Sequence, residues 1–182
     1  MIPKKILNYL QKNKIKYKTI YHKTVYTAFD LAKTLKKKIS EIAKTLIIKA
    51  DKNYYLLILP ASNQVIFSKL KKLLKVKNIG LIKENLMKKK IKVKPGAIPP
   101  FGSLYKLSVY LDKSLKKIKK IIVRAGSYNE SMEIKTKDLL KLEKPKEAVF
   151  SQKSTLRQGS GHSALRVSGS KRLMVRKSNP SK

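Results

Sequence analysis

The sequence predicts an α/β chain of the α+β type, in which a mixed, partly antiparallel, curved sheet is flanked by helices. Segments with strand character outnumber segments with helical spacing, several neighbouring strand segments are joined by short polar turns, and helices interrupt them. The chain has 182 residues, of which 42% are hydrophobic. That is enough material for one domain with a sizeable core.

The first sixty residues predict two helices, a half-exposed strand and a hairpin. Ile6 and Leu10 lie on one face at helical spacing, and Thr27 is an N-cap residue ahead of a second apolar-periodic segment. Asp51-Lys52-Asn53 separates two apolar runs as a short polar turn. The expected elements are a helix over residues 3–12, a strand over 15–19, a helix after Thr27, a capped turn over 40–43, and strands over 45–50 and 54–59.

The rest of the chain alternates in the same way. Residues 67–74 have amphipathic helical spacing, and residues 95–102 form a stiff loop rich in proline and glycine. Thr136 is expected to cap the last helix, through Leu142. The other expected elements are a strand over residues 79–82, a helix over 84–90, a strand over 107–111, a lysine-rich helical stretch, a strand over 121–124, a turn over 126–129 and a strand over 132–134.

Composition changes near residue 150. All acidic residues, all tyrosines and every isoleucine precede it, whereas the last 32 residues hold eight serines, three glycines and four of the five arginines. Such a segment has too little apolar material to bury. We therefore expect a domain over residues 1–147 and a basic, Ser/Gly-rich, disordered tail over residues 148–182. The tail is either an RNA-binding arm or an appended segment without function.

The charge points to a polyanionic partner. Forty-five Lys and Arg oppose ten Asp and Glu, for a net charge of +35, and residues 1–150 alone carry +27. Nucleic acid is the leading partner for such a surface, and an anionic membrane surface is the second. A base-composition bias toward lysine and isoleucine codons is the alternative source of the charge. The lysine-rich helices have narrow apolar faces, so we expect no membrane partner.

Several classes of chemistry are excluded by residue type. The chain has no cysteine and only two histidines, His22 and His162, so disulfides, thiolate nucleophiles and a histidine-rich metal site are not expected. Glycine-rich phosphate loops are absent, and since His162 lies in the expected tail, only His22 is available in the core as a base for a serine nucleophile. We predict neither a metal nor a cofactor. The N-terminus lacks a signal-peptide core and no apolar run is long enough to span a membrane, so a cytoplasmic location is expected.

Two features remain as a candidate site. The loop over residues 95–102 carries no charge in a lysine-rich chain; Gly96 admits close approach of a ligand, and Pro99 and Pro100 fix neighbouring backbone directions. Lys44 lies where a polar turn enters a buried strand, so its ammonium can reach a pocket. The alternatives are a rigid turn for the loop and a surface cation for Lys44.

These residues belong to an ordered series of motifs. From His22 to Leu142 the chain resembles the YbaK-like aminoacyl-tRNA deacylases, which are related to the editing domain inserted in bacterial prolyl-tRNA synthetases. The motifs are His22 followed by Thr27-Ala28, then Ala43-Lys44-Thr45-Leu46, Gly96-Ala97-Ile98-Pro99-Pro100-Phe101-Gly102, Ala125-Gly126-Ser127 and Asp138-Leu139-Leu140.

The resemblance implies an editing-domain-like fold and hydrolysis of the ester that joins an amino acid to the 3′ end of tRNA. It implies catalytic roles for Lys44 and Gly96, and an aminoacyl-tRNA synthetase as a further partner. The substrate-binding residues that it implies are Ala97, Ile98, Pro99, Pro100, Phe101, Gly102, Gly126, Ser127 and Asn129. His22 is interpreted as structural.

One departure leaves the substrate open. Some relatives that clear alanine carry a histidine in the segment that corresponds to residues 126–129, whereas this chain has Tyr128 there. The amino acid removed, the preferred tRNA and the oligomeric state are therefore not predicted. A non-catalytic, basic RNA-binding module that retains the deacylase fold is the alternative function.

Overall fold

The computed structural model describes residues 1–154, except for the side chains of residues 88–91. Five helices and ten strands alternate along this part of the chain. The helices are α1 Lys4–Lys12, α2 Ala28–Thr34, α3 Phe67–Leu74, α4 Glu84–Ile91 and α5 Thr136–Glu143. The strands are β1 Tyr17–Tyr21, β2 Ala43–Ala50, β3 Asn53–Pro60, β4 Asn63–Val65, β5 Ile79–Leu81, β6 Ser108–Asp112, β7 Lys120–Arg124, β8 Glu130–Lys135, β9 Lys146–Ala148 and β10 Ser151–Lys153.

The strands form sheets of five, three and two strands. In the five-stranded sheet the order is β5-β2-β3-β6-β9; β2 is antiparallel to β5 and β3, whereas β3, β6 and β9 are parallel. The antiparallel three-stranded sheet has the order β1-β8-β7, and β10 pairs with β4. A parallel bridge between Ile42 and Ile122 joins the two larger sheets. The predicted class, a mixed and partly antiparallel sheet with helices, is confirmed.

The main core lies between the five-stranded sheet, the three-stranded sheet and two helices. Ile6 and Leu10 of α1 and Leu139 of α5 are fully buried in this cluster. They lie on the apolar faces that the helical spacing predicted. Burying each such side chain contributes about 1.5–3 kcal/mol, so the core orients both helices on the sheets.

The lysine-rich stretch and Thr136 differ from expectation. Lys113–Lys117 is a 3₁₀ turn, begun by the Asp112 side chain, which accepts a hydrogen bond from the Ser114 backbone. Thr136 is the first residue of α5, and its hydroxyl donates to the carbonyl of Ile118 instead of capping the helix. The Thr136 hydroxyl therefore bonds to a carbonyl that is distant in the sequence, whereas local propensity predicted that it would cap the helix.

The fold continues past residue 147, where composition placed the domain boundary. Phe150 is fully buried, and β10 pairs with β4. The buried carboxylate of Asp112 accepts hydrogen bonds from the backbone N–H groups of Phe150 (3.0 Å) and Ser151 (2.9 Å). Residues 148–154 are thus part of the fold. Residues 155–182, the rest of the expected tail, lie outside the described residues.

No helix in residues 1–154 combines the length and the apolar character needed to cross a bilayer.

Candidate functional site

A groove of about 550 Å³ opens beside the proline- and glycine-rich loop. We call it the Gly96 groove. It is formed where the loop after α4 meets the segment before α2 and the turn between β7 and β8. The lining residues are Tyr26, Glu84, Lys94, Pro95, Gly96 and Tyr128.

The backbone at Gly96 excludes a side chain for two reasons. Its φ angle is +74°, and a Cβ placed on it would lie 2.5 Å from the carbonyl oxygen of Tyr26. Within the described part of the chain, the Gly96 N–H donates to no protein acceptor. An exposed glycine with a free amide at a groove wall can donate to an oxygen of a ligand.

The loop is tied to the turn between β7 and β8. The N–H of Gly126 donates to the carbonyl of Ala97 at 2.9 Å, and the hydroxyl of Tyr128 donates to the carbonyl of Pro95 at 2.6 Å. Gly126 has a φ angle of +81°, and its Cα faces Pro3. The structure therefore brings together two of the motifs that are thirty residues apart in the sequence.

The remainder of the loop lies beneath the groove. Ala97, Ile98, Pro99 and Pro100 are buried, and the fully buried Phe101 ring packs against Tyr9 with centroids 6.0 Å apart. Their side chains are buried in this structure, and their expected contact with substrate stays a prediction. They fix the backbone of the loop from below.

Gly102 is also buried in packing contacts. A Cβ there would lie 2.3 Å from a methyl carbon of Val109 and 2.7 Å from the carbonyl oxygen of Leu107. Gly102 begins a 3₁₀ turn, Gly102–Tyr105, that leads into β6. Close packing requires a glycine at this position, and Gly102 does not line the Gly96 groove.

Ser127 and Asn129 hold the turn itself. The buried hydroxyl of Ser127 donates to the side-chain oxygen of Asn129, and the carbonyl of Asn129 accepts from the N–H of His22 at 3.0 Å. The His22 ring lies 2.9 Å from the hydroxyl of Ser131 and 2.8 Å from the carbonyl of Lys23. These contacts join His22 to the β7–β8 turn and to β8, and its structural role stays a prediction. Ser127 and Asn129 position the turn and are not lining residues.

Lys44 occupies the second position of β2 opposite Leu59. Its side chain is half-buried, and its Nζ lies 3.5 Å from the carbonyl oxygen of Ala61. Burial lowers the pKa of Lys44 below its ordinary value. Lys44 is not one of the residues that line the Gly96 groove.

A buried arginine, Arg124, lies on β7, which a single bridge joins to the residue before β2. The parallel bridge between Ile42 and Ile122 places Lys44 and Arg124 two residues further along both strands, at matching register positions. Arg124 is 6% exposed and donates to the carbonyls of Val25 (2.8 Å) and Thr27 (3.2 Å), on either side of Tyr26. It therefore anchors one wall of the groove.

Arg124 also reaches the opposite wall. It donates to the carbonyl of Tyr128 at 3.4 Å, and the Tyr26 and Tyr128 rings meet edge to face with centroids 4.8 Å apart. Burial lowers the pKa of Arg124, and its Nε has no hydrogen-bond partner among the described residues. The guanidinium holds the two tyrosines that form the groove.

Sequence reasoning did not select Arg124 or Tyr26. One signal was available: Arg124 is the single arginine before residue 150 in a chain that otherwise uses lysine. Arginine suits a buried position with several carbonyl acceptors because its planar group offers five donors. Tyr26 gave no signal, since its position beside Gly96 depends on tertiary structure.

No group of three or more His, Asp or Glu side chains suited to a metal ion occurs in the part of the chain that the structure describes.

The fold and the ordered motifs define an editing domain of the kind that acts on aminoacyl-tRNA. A model of the aminoacyl-tRNA editing domain family matches residues 22–142, which is more than half of the chain. The chain therefore belongs to this family, as the motifs around Lys44 and Gly96 indicated.

Solved structures share the fold. A crystal structure described as a hypothetical protein is 20% identical with a TM-score of 0.75, covering 81% of this chain and 99% of that chain. A proposed trans-editing enzyme for prolyl-tRNA synthetase is 20% identical with a TM-score of 0.72, covering 82% and 96%. A protein from Marinobacter aquaeolei described as acting in signal transduction is 12% identical with a TM-score of 0.64, covering 83% of this chain and 31% of that chain.

A search of curated proteins finds no match to this chain.

Proposed function

We propose that this protein is a free-standing aminoacyl-tRNA deacylase, which hydrolyses the ester bond of mischarged tRNA in trans. The observation that carries the proposal is the match of residues 22–142 to the editing-domain family together with the open groove at Gly96. The chain spans nearly the whole length of two of its structural neighbours, including one described as a trans-editing enzyme. This favours action as a separate protein.

The chemistry requires little beyond positioning. An amino-acid ester is already activated, so hydrolysis needs an oriented water and a donor for the oxyanion that develops on the carbonyl. Gly96 lines the groove, its N–H has no acceptor among the described residues, and the contacts of Pro95 and Ala97 with the β7–β8 turn fix the backbone on either side of it. Losing one donor of this kind typically slows a reaction by about 10²–10³. No protein nucleophile is invoked.

Lys44 supplies positive charge from β2. Its half-buried ammonium suits an oxygen of the terminal nucleotide or of the ester carbonyl, which it would hold in register with Gly96. Because the ammonium lies outside the lining of the Gly96 groove, we infer that the substrate extends from the groove toward the start of β2. Arg124 would keep the groove open between these two points.

The test is loss of the ester from a panel of mischarged tRNAs. We expect Lys44→Ala to reduce kcat/KM by at least about 10²-fold for the preferred substrate. The matched control is Lys49→Ala, an exposed lysine of the same strand that pairs with Tyr54 and Gly80. It should retain activity. Full activity in Lys44→Ala would remove Lys44 from the mechanism.

The alternative is a non-catalytic RNA-binding module with the same fold, which the net charge of +35 favours. Salt-sensitive tRNA binding is expected for both functions, so affinity does not separate them. Binding of tRNA without ester loss from any member of the panel would establish the alternative. The same panel identifies the amino acid, which residues 126–129 leave open, and an added synthetase tests for the expected protein partner.

A further inference from the structure

A second groove lies at the opposite end of the five-stranded sheet, where β3 and β6 begin. Its volume is about 570 Å³. The β2–β3 turn contributes Lys52, β3 contributes Tyr54 and Tyr55, and the segment before β6 contributes Tyr105 and Lys106. We call it the tyrosine groove. Nothing in the editing reaction requires it.

The tyrosine groove is distant from the proposed reaction site. Asn53 lines it at the beginning of β3, whereas Leu59, the partner of Lys44, lies six residues further along the same strand. At about 3.3 Å per residue this separation is about 20 Å. A molecule in the tyrosine groove therefore leaves Lys44 accessible.

The charge at this groove is positive. Lys52 and Lys106 are exposed at its rim, and the ammonium of Lys5 lies 5.0 Å from the centroid of the Tyr105 ring. Among the described residues that line the groove there is no carboxylate. The neighbouring Asp51 is occupied, since it accepts hydrogen bonds from the backbone of Lys77 and Asn78. These hydrogen bonds keep Asp51 ionised and directed to the Lys77–Asn78 backbone, so an anionic ligand meets no carboxylate in the lining itself, although Asp51 adjoins Lys52.

Three tyrosine rings give the groove a second property. Tyr54, Tyr55 and Tyr105 are half-buried. Tyr54 and Tyr105 pack against the main core, whereas Tyr55, on the other face of β3, meets the Tyr110 ring edge-on at 5.6 Å between centroids. Burial raises the pKa of Tyr105 to about 12, so its hydroxyl is a neutral donor at physiological pH. Tyrosines and lysines that line one groove are a combination that binds single-stranded nucleic acid, through base stacking and phosphate contacts.

We propose that the tyrosine groove binds an unpaired segment of RNA, with bases against the tyrosine rings and phosphates on Lys52 and Lys106. The proposal is independent of ester hydrolysis. A lipid surface is a poorer match, because half-buried rings within a groove do not reach a bilayer. An acidic peptide would use the lysines but leaves the three rings without a function.

The first experiment reverses charge at the groove. Binding of a labelled, unstructured oligoribonucleotide of about twelve residues is measured by fluorescence anisotropy for the full chain and for Lys52→Glu/Lys106→Glu. The matched control is Lys69→Glu/Lys72→Glu, which changes two exposed lysines of α3 by the same charge. We expect the groove variant to bind at least tenfold more weakly, with the salt slope reduced by about 1.4, or 0.7 per lost phosphate contact. Equal losses in the two variants would overturn the proposal.

The second experiment separates stacking from charge. Tyr105→Leu keeps an apolar side chain but removes the ring, whereas Tyr105→Phe keeps the ring. We expect a loss of about 5- to 150-fold for the leucine variant, the range for removal of one stacked base, and near wild-type affinity for the phenylalanine variant. The urea midpoint of each variant shows whether it is folded. Unchanged affinity in a folded Tyr105→Leu, or displacement of the oligonucleotide by phosphatidylserine vesicles at equal phosphate, would contradict the proposal.

Hydrolysis gives an independent readout. A short aminoacylated RNA that reaches only the Gly96 groove should be deacylated by Lys52→Glu/Lys106→Glu with kcat within about twofold of wild type. A larger loss would place the lysines in the reaction site and overturn the proposal. If no substrate is hydrolysed by the wild-type protein, the proposed deacylase function fails while the binding experiments still decide the tyrosine groove.

Discussion

Gly96 and Lys44 meet opposite physical demands at the two ends of the proposed site. Gly96 needs the absence of a side chain, because its φ angle of +74° and the carbonyl of Tyr26 exclude a Cβ. Lys44 needs a charge in a place that disfavours it, because burial lowers its pKa. Both residues are therefore open to substitutions that separate folding from activity.

Gly96→Ala should remove activity at a moderate loss of stability. The new methyl group must move away from the Tyr26 carbonyl, and the left-handed backbone adds about 1–2 kcal/mol of strain. We expect kcat/KM to fall by at least about 10²-fold, because the Gly96 N–H is displaced. Gly80→Ala is the control: a Cβ on this strand glycine meets nothing within 4 Å. Loss of activity in both variants would contradict a specific role for Gly96.

Lys44→Met should inactivate the protein and stabilise it. The pKa of Lys44 is lower in the folded chain than in the unfolded one, so between the two values the unfolded state binds more protons and wild-type stability rises with pH. Removing the buried charge should raise the free energy of unfolding at pH 7 by up to about 1 kcal/mol.

Urea denaturation at several pH values measures this effect. The advantage of Lys44→Met over wild type should shrink as the pH rises through the lowered pKa of Lys44. The exposed Lys49→Met should show neither the gain nor the pH dependence. A destabilised Lys44→Met at pH 7 would mean that the ammonium has a stabilising partner in the folded chain.

At the scale of elements, every described helix is followed by a lysine in the left-handed conformation. These residues are Lys14, Lys36, Lys75, Lys92 and Lys144, with φ angles between 43° and 54°. A lysine there suits the negative end of the helix dipole, but the backbone conformation favours glycine. The lysine-rich composition thus extends to positions where it opposes local stability.

Lys75→Gly should therefore stabilise the protein by up to about 1 kcal/mol, because glycine adopts this conformation without the steric penalty. Lys75 is exposed, so no packing is lost. Lys71→Gly, inside the same helix, should destabilise by about 1 kcal/mol. Thermal unfolding of the two variants shows whether each substitution stabilises or destabilises the protein. The same sign for both variants would refute the backbone argument.

The sequence predicted elements whose signals are local. Residues 67–74 matched α3 at both ends, and Asp51-Lys52-Asn53 joined the strands that became β2 and β3. The three-residue strands β4, β9 and β10 were not predicted, because they are largely polar and lack the apolar residues that marked the equally short β5. β4 and β10 pair with each other. Their pairing depends on Phe150 and Asp112, which act across the fold.

The candidate site could be predicted from the sequence to about the same extent as the fold. The motifs identified Gly96 and the turn at Gly126, and the structure brings these two together. They did not reveal that Phe101 is core, or that Arg124 joins Tyr26 to Tyr128. Burial and carbonyl acceptors depend on how distant segments pack, and a single sequence does not encode that in any local pattern.

At the scale of the whole molecule, a buried carboxylate ties the segment beyond residue 147, the limit that composition gave, to the rest of the fold. Burial alone would raise the pKa of Asp112, but hydrogen bonds from Ser114, Phe150 and Ser151 outweigh it and hold the pKa below its ordinary value. The same carboxylate thus starts the 3₁₀ turn after β6 and fastens the segment that enters β10. Composition alone placed the limit several residues too early.

Two shortened chains test this limit. A chain that ends at Ser154 should keep the full free energy of unfolding, whereas one that ends at Val149 should lose about 3–5 kcal/mol, the range for removing a buried phenylalanine. The second chain also leaves Asp112 without two of its donors, so its stability should fall further above pH 4, where the unpaired carboxylate is ionised. Urea denaturation at pH 4 and pH 7 measures both effects. Equal stability of the two chains would place the limit at or before Val149, because neither Phe150 nor the Asp112 contacts would then hold the fold together.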